Sequence, residues 1–423
     1  MAIATVPAMP APPIPAQAVP LRERILLVVL YVAVLASSLA FIEPSPHDAM
    51  MGLLAVACLV AGVRFDRFLA LPLLLLLVWN VAGMMALIDV VDQEKTIQYT
   101  ATSLYLAVAA LLFACLFAQN TLPRLAILRA AYVATALFTA LFGLAVYAHL
   151  LPGEDTFLWA GRVRSTFKDP NVFGPFLILP ALFVIERMIA QGVKLRHLAA
   201  TLILVAGLFF SFSRGAWINF ALSAAVLLAL LVLTAPDRHA RMRPIVLGAA
   251  SVAVLALALV ALSTIESVRD MLMQRAQLVQ SYDVGDGGRF VLQELAINTL
   301  FDHPLGLGPF EFSRIYGLQQ HNVYLQAFLV YGWVGGITYV AMVLVTLFVG
   351  LRNALLRTPW QSYLIAAYAA FVGIAFESFV IDSDHWRHFF LIFGMIWGLS
   401  AATVKLKRDE RHLACVRPAW VTG

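Results

Sequence analysis

The sequence predicts an all-α polytopic membrane protein with about 12 transmembrane helices and one large outer loop between helices 9 and 10. Of its 423 residues, 62% are hydrophobic and only 13% are charged, and the mean hydropathy is +0.87. The apolar runs lack the alternation of period two that marks a membrane β-barrel, and each is long enough to close its own backbone hydrogen bonds as a helix. Together these observations favour a bundle of membrane-crossing helices.

Apolar runs bounded by charges give the predicted spans 25–42, 49–63, 68–90, 100–118, 126–150, 172–189, 198–212, 216–233, 245–263, 333–351, 363–381 and 389–404. Several are shorter than the ~20 residues that a perpendicular helix needs. The organisation that follows is a disordered tail (1–24), spans 1–9 (25–263), an outer loop (264–332), spans 10–12 (333–404) and a basic tail (405–423).

The distribution of lysine and arginine orients the chain. With the N-terminus in the cytoplasm, every inner segment carries at least two basic residues, whereas the outer loops 43–48 and 89–98 hold only Lys95. This is the bias of the positive-inside rule. Both termini are therefore predicted to be cytoplasmic.

Cations on the outer face run against this bias and call for another explanation. They cluster in the segments GRVRSTFKDPN, FSRGAW and DSDHWRH and in the large loop. The set is Arg162, Arg164, Lys168, Arg214, Arg269, Arg275, Arg289, Arg314 and Arg387. We interpret these residues as the source of the functional site.

Three of these segments predict a helix that begins beside a cation. Asp169 caps a helix with Pro170 as its first residue, Ser213 precedes Arg214, and a glycine-rich turn leads to Arg289. A cation at a helix N-terminus costs about 0.3–1 kcal/mol unless an anion binds there. The pattern predicts a site for a phosphate or pyrophosphate; the alternative is that the arginines reach lipid headgroups or pair with nearby carboxylates such as Asp283, Asp286, Glu294 and Glu311.

A second motif ends the outer loop. His321 and Asn322 are followed by nine residues and then by Gly332 and Gly335, which mark a bend into the tenth span. This motif resembles the signature of the O-antigen ligase and polymerase superfamily, and the GRVRSTFKDPN and FSRG segments resemble other blocks of that family. The resemblance covers about residues 160–340, and the large loop between spans 9 and 10 is similar to the ligase layout.

The resemblance implies a function and roles for particular residues. It implies an enzyme of the bacterial inner membrane that transfers a glycan from a polyprenyl (undecaprenyl) pyrophosphate carrier to a sugar hydroxyl at the periplasmic face, with lipid A-core as the ligase acceptor. His321 would be the base, and Arg164, Arg214 and Arg289 would hold the diphosphate. We place Arg289 and Arg214 with His321 in the catalytic set. The predicted substrate-binding set is Arg162, Arg164, Lys168, Asn322, Arg314, Asp384 and Arg387.

By the same analogy the reaction is inverting and needs no metal or other cofactor. The implied partners are the lipid-linked donor, a glycolipid or glycan acceptor and membrane lipids, but no nucleic acid. The chemistry is reasonable because an imidazole, with an ordinary pKa near ~6.5, can take a proton from a sugar hydroxyl as the new bond forms. Arginine groups would stabilise the charge of the leaving pyrophosphate.

Several alternatives stay open at this point. His303 competes with His321 for the role of base, and His321 could instead serve only as a capping residue. Asp382-Ser383-Asp384 could bind a divalent metal, although capping of the last span explains it more simply. The chain could also be a repeat-unit polymerase or a transporter, but a carrier usually shows two similar halves and charges at the bilayer midplane, which this sequence does not.

Overall fold

The computed structural model describes residues 19–42, 44–88, 90, 93–276 and 288–416. From the N-terminus the helices are α1 (Leu21–Leu35), α2 (Pro46–Ala61), α3 (Ala70–Met85), α4 (Gln93–Phe117), α5 (Thr121–Tyr147), α6 (Glu154–Phe157), α7 (Pro170–Phe176), α8 (Ile178–Gln191), α9 (Leu195–Phe210), α10 (Arg214–Thr234) and α11 (Arg238–Leu262). Next come α12 (Glu266–Ala276), α13 (Arg289–Asp302), α14 (Glu311–Tyr316), α15 (Val323–Ala354), α16 (Gln361–Glu377) and α17 (Arg387–Val416). Short 3-10 turns occupy Ala36–Ser38 and Arg67–Leu69.

Each predicted apolar run overlaps a helix in the structure, and the sixth run corresponds to α7 and α8 together. Among the described residues, seven helices are long and apolar enough to cross a membrane. Three further apolar helices, α2, α9 and α16, are shorter than the ~20 residues of a perpendicular span. The all-α, multi-pass class is therefore confirmed, while the count of twelve crossings stays a prediction.

A bend in α15 moves one predicted boundary. The tenth span was predicted to begin at residue 333, but the helix already begins at Val323 and is interrupted at Gly332, with φ 66° and ψ −171°. The backbone groups freed by this bend are bound by the preceding turn: Leu307 N donates to Leu329 O (2.6 Å) and Trp333 N donates to Pro304 O (2.9 Å). The predicted bend at Gly332 is present, and it places the His321-Asn322 motif directly at the start of α15.

Small residues bring the central helices into close contact. Gly394 and Gly398 of α17 lie against α4, where an added Cβ at either glycine would be 2.5 Å from a backbone oxygen, that of Ala110 or Ala114. Glycines four residues apart allow this approach of two membrane helices. Around this centre, Trp79 of α3 packs on Tyr331 of α15 with ring centroids 4.9 Å apart.

The only strands in the described residues form a small hairpin between α6 and α7. Strands β1 (Leu158–Trp159) and β2 (Arg162–Val163) pair antiparallel, with Leu158 opposite Val163 and Trp159 opposite Arg162. The connecting residues Ala160 and Gly161 both have positive φ, as a tight two-residue hairpin turn requires. This hairpin carries Arg162 toward the beginnings of α7 and α10.

Candidate active site

The His321-Asn322 motif forms a capped helix start. The Asn322 side chain accepts hydrogen bonds from Tyr324 N (3.0 Å) and Leu325 N (3.2 Å), so it caps α15. His321 lies just outside the cap in the left-handed region, with φ 48°, and its side chain is 48% exposed. A non-glycine residue in this region is uncommon and draws attention to a functional role.

A carboxylate from another part of the chain holds the imidazole. His321 Nδ1 lies 3.1 Å from Asp382 Oδ2, in the loop that follows α16. The two segments are joined by backbone contacts as well, because Val323 N donates to Ser378 O (2.9 Å). When Nδ1 carries the proton that Asp382 accepts, Nε2 keeps the lone pair that can receive a proton from a substrate.

The start of α10 lies against the same end of α16. Ser213 caps α10 by accepting from Ala216 N (3.4 Å), and Arg214 is its first residue, as predicted. Gly215 packs so closely on Glu377 that an added Cβ would be 2.7 Å from Glu377 Oε1. Since Glu377 immediately precedes Ser378, the beginnings of α10 and α15 both contact the carboxyl end of α16. Arg214 and His321 therefore belong to the same end of the bundle.

The start of α7 adjoins α10. Asp169 caps α7 by accepting from Asn171 N (2.7 Å), with Pro170 as the first helical residue, again as predicted. Gly174 of α7 packs on Ala216, where an added Cβ would lie 2.7 Å from the Ala216 Cβ. Two of the three predicted cation-flanked helix starts are thus direct neighbours.

The third such start belongs to α13. Gly288 precedes the helix and Arg289 opens it, as predicted, but the Arg289 side chain lies outside the described part of the molecule. One turn further on, Gln293 Nε2 donates to Gln320 O and to Phe379 O, both at 3.4 Å. Gln293 therefore joins α13 to the residue before His321 and to the loop after α16.

The arginines of the hairpin segment stabilise loops. Arg162 is buried, with Nε bonded to Ser211 O (2.9 Å) and an Nη bonded to Asn171 Oδ1 (2.7 Å). Arg164 donates to the backbone oxygens of Thr156, Lys168 and Asp155 at 3.1, 3.4 and 3.3 Å. Lys168 itself is exposed on this loop. Arg162 thus ties the α7 start to the residues before α10, and Arg164 closes the loop around it.

Asp384 and Arg387, predicted to contact sugar hydroxyls, are engaged inside the protein. Asp384 is buried and accepts from the Tyr99 hydroxyl, with His385 Nδ1 3.2 Å away. Burial alone would raise the pKa of Asp384, but the charge of His385 and hydrogen bonds from His385 and Tyr99 hold this pKa below its ordinary value. Arg387 forms a bidentate ion pair with Asp48, at 2.9 and 2.8 Å.

The other candidates lie farther along the outer segment. Arg314 pairs with Glu311 within α14, with Nε 2.6 Å from Oε2. His303 follows the last residue of α13, about 15 Å along the helix axis from Gln293 at the rise of an α-helix. This separates His303 from the end of α13 that contacts the His321 segment.

The sequence reasoning missed two features of this site. It noted Asp382 only as part of a possible metal motif, whereas the structure pairs Asp382 with His321, 61 residues away in the chain. The second feature is the contact of buried Glu377 with Asn219, whose Nδ2 donates a hydrogen bond to Glu377 Oε2 at 2.7 Å. The predicted topology could have suggested the His321–Asp382 pair, because it places residues 321 and 382 on the same side of the membrane.

In the described residues, no group of three or more His, Cys, Asp or Glu side chains is arranged to hold a metal ion.

Residues 199–340 match a family model described as O-antigen ligase. The match runs from α9 to beyond the bend in α15, about one third of the chain, and includes Arg214, Arg289 and His321. It confirms the resemblance to the O-antigen ligase and polymerase superfamily and supports a membrane protein of polysaccharide biosynthesis that acts on lipid-linked glycans. No curated protein matches the chain significantly.

Proposed function

We propose that this chain is a glycosyltransferase that moves a glycan from a polyprenyl pyrophosphate carrier to a sugar hydroxyl, as an O-antigen ligase does. The observation that carries the proposal is the His321–Asp382 pair at the end of the bundle where α10 begins with Arg214. The family match over residues 199–340 supports the same assignment. The distribution of basic residues favours a periplasmic site, cytoplasmic termini and insertion in the bacterial inner membrane.

In the proposed reaction, His321 is the general base. Its Nε2 takes the proton of the acceptor hydroxyl while the hydroxyl oxygen forms a bond to the anomeric carbon of the donor glycan. The bond from this carbon to the carrier diphosphate breaks, and its electron pair leaves with the diphosphate. Asp382 fixes the tautomer of His321 and stabilises the imidazolium that forms, the role a carboxylate plays beside a catalytic histidine.

The diphosphate is assigned to the helix starts at Arg214 and Arg289. The free backbone N–H groups of a helix N-terminus and the adjacent guanidinium both favour an anion, and together they can stabilise the leaving pyrophosphate. Lys168, exposed next to the α7 start, is a further cation at this end. Because arginine and lysine supply the positive charge, the proposal needs no metal ion.

Other members of the predicted substrate-binding set receive structural roles in this proposal. Arg162 and Arg164 hold the loop before α7, Asn322 caps α15, and Asp384 and Arg387 hold the loop before α17 by their contacts with Tyr99 and Asp48. Arg314 is assigned to its ion pair with Glu311.

The acceptor is proposed to be lipid A-core, as in a ligase. The long segment between α11 and α15, which holds α12, α13 and α14, favours a ligase over the alternative, a polymerase of O-antigen or exopolysaccharide repeat units. A transporter is less well supported, because the charged and polar residues described above gather at one end of the bundle and not at mid-depth.

Deletion of the gene followed by analysis of surface glycans separates these functions. If the chain is a ligase, deletion should remove every glycan chain attached to lipid A-core, and undecaprenyl-linked polymer should accumulate. Survival of single-repeat products would instead identify a polymerase. Unchanged surface glycans would contradict both.

A further inference from the structure

Helix α13 carries a line of exposed apolar side chains. Phe290, Ile297 and Phe301 are 51%, 46% and 62% exposed, and their spacing of seven and four residues places them on one face. The opposite face is buried: Leu292, Ala296 and Leu300 pack with Phe312 and Leu329. The exposed line is therefore a second apolar face that the described part of the chain leaves uncovered.

This line continues into a surface of α15 that faces outward along the bundle. Phe301 packs on Trp333, with ring centroids 5.6 Å apart, and Trp333 Nε1 donates to Leu300 O at 3.0 Å. Beyond Trp333, the exposed side chains of α15 include Val334, Ile337, Leu344 and Phe348. Helix α15 is long and apolar enough to cross a membrane, so this stripe is a lipid-facing surface.

Backbone contacts hold α13 at a defined position along the axis of α15. The turn after α13 is bound to the bend of α15 through Leu307 N to Leu329 O and Trp333 N to Pro304 O. At the bend, an added Cβ on Gly332 would lie 2.6 Å from Pro304 O, which shows how closely the two segments meet. The exposed line of α13 therefore cannot move far from the outer end of the α15 stripe.

Apart from Val291, which is 38% exposed, the neighbouring exposed positions on α13 are polar. Glu294, Asn298 and Asp302 are spaced four residues apart, are exposed, and form an edge beside the apolar line. A helix with an apolar face next to a polar face is the form that lies in the plane of a membrane interface, with its apolar face about 5–10 Å into the headgroup and acyl boundary.

We propose that α13 is an interfacial helix that rests on the outer leaflet of the membrane, with Phe290, Ile297 and Phe301 in contact with lipid. The partner is the lipid surface, because the apolar line is continuous with the lipid-facing stripe of a membrane-crossing helix. The proposal does not depend on the glycosyltransferase assignment. It does give α13 a further consequence, since Gln293 joins this helix to the His321 segment and so would hold that segment at the depth of the lipid phosphates.

Spin labelling of the full chain in lipid nanodiscs tests the proposal. Single cysteines at Ile297 and Phe301, with Asn298→Cys as the matched control on the same helix, are placed in a background without Cys58, Cys115 and Cys415. Collision with oxygen, which concentrates in lipid, is compared with collision with a water-soluble nickel chelate. Phe348→Cys on α15 supplies the lipid-exposed reference.

The labels at 297 and 301 should collide preferentially with oxygen, as at 348, and the label at 298 should collide preferentially with nickel. A cysteine at 301 removes the contact of Phe301 with Trp333, so Phe290→Cys tests the same apolar line independently. The label at 290 should also collide preferentially with oxygen. Preference for nickel at 290, 297 and 301 would overturn the proposal. Oxygen preference at 298 as well would overturn it too, because α13 would then be immersed and not interfacial.

Discussion

Replacing Asp382 with asparagine tests the contact that orients His321. Asparagine keeps the shape of the side chain but removes the charge that favours the Nδ1-protonated tautomer and stabilises the imidazolium. A hydrogen bond to a charged group contributes about 1.5–3 kcal/mol. At about 1.4 kcal/mol for each factor of ten in rate, this range corresponds to a loss of about 10- to 150-fold.

The structure places the expected loss near the lower end of that range. The His321 and Asp382 side chains are 48% and 24% exposed, so water weakens their interaction. We therefore expect D382N to lower kcat about tenfold, with little change in KM for the lipid-linked donor. The smaller loss separates D382N from removal of the base itself, for which general-base catalysis predicts about 10²- to 10⁴-fold.

The assay is transfer of glycan from a purified polyprenyl pyrophosphate donor by the detergent-solubilised enzyme, with turnover expressed per folded molecule. D384N is the matched control, because this carboxylate lies two residues away and its described contacts run to Tyr99 and His385. Turnover of D382N equal to wild type would refute the role of Asp382. An equal loss of turnover in D384N would show that the effect comes from disturbance of the loop.

Three further predictions concern the anion site, the bend and the buried loop. R289K keeps the charge but loses the bidentate geometry of a guanidinium, so turnover should fall strongly; unchanged turnover would mean that no such contact is needed. G332A should lower the thermal stability more than G317A. Both glycines have positive φ, which would strain an alanine by about 1–3 kcal/mol, but only at Gly332 would the added Cβ also clash with backbone atoms. Equal losses of stability in the two variants would contradict this packing. The pKa of Asp384 is lower in the folded protein than in the unfolded chain, so the ionised carboxylate stabilises the fold. This contribution is fully present above the pKa of the unfolded chain and is lost as the pH falls through the pKa of the folded protein. The stability difference between wild type and D384N, measured by thermal unfolding over a pH series, should therefore be full at neutral pH and shrink in acid; a difference that does not change with pH would contradict the assignment.

Local features of the site could be predicted from the sequence because they are encoded within a few residues. The capped starts at Pro170 and Arg214 and the helix start at Arg289 depend on neighbours within one turn. The bend at Gly332 is likewise signalled by glycine itself.

Partners distant in the chain could not be predicted in the same way. Arg387 and Asp48 are 339 residues apart, and a cation that binds a carboxylate looks the same in sequence as one that binds a substrate. Burial of Arg162 against Ser211 O was hidden for the same reason. The number of membrane crossings also depends on tertiary packing, because most residues of the short apolar helix α16 are buried among its neighbours.

The proposed role of His321 is tested most directly by glycan transfer with His321→Ala in a purified system, measured together with binding of the polyprenyl pyrophosphate donor. If His321 is the base, transfer should fall by about 10²-fold or more, while the dissociation constant of the donor hardly changes. Transfer at the wild-type rate would show that His321 is not the base.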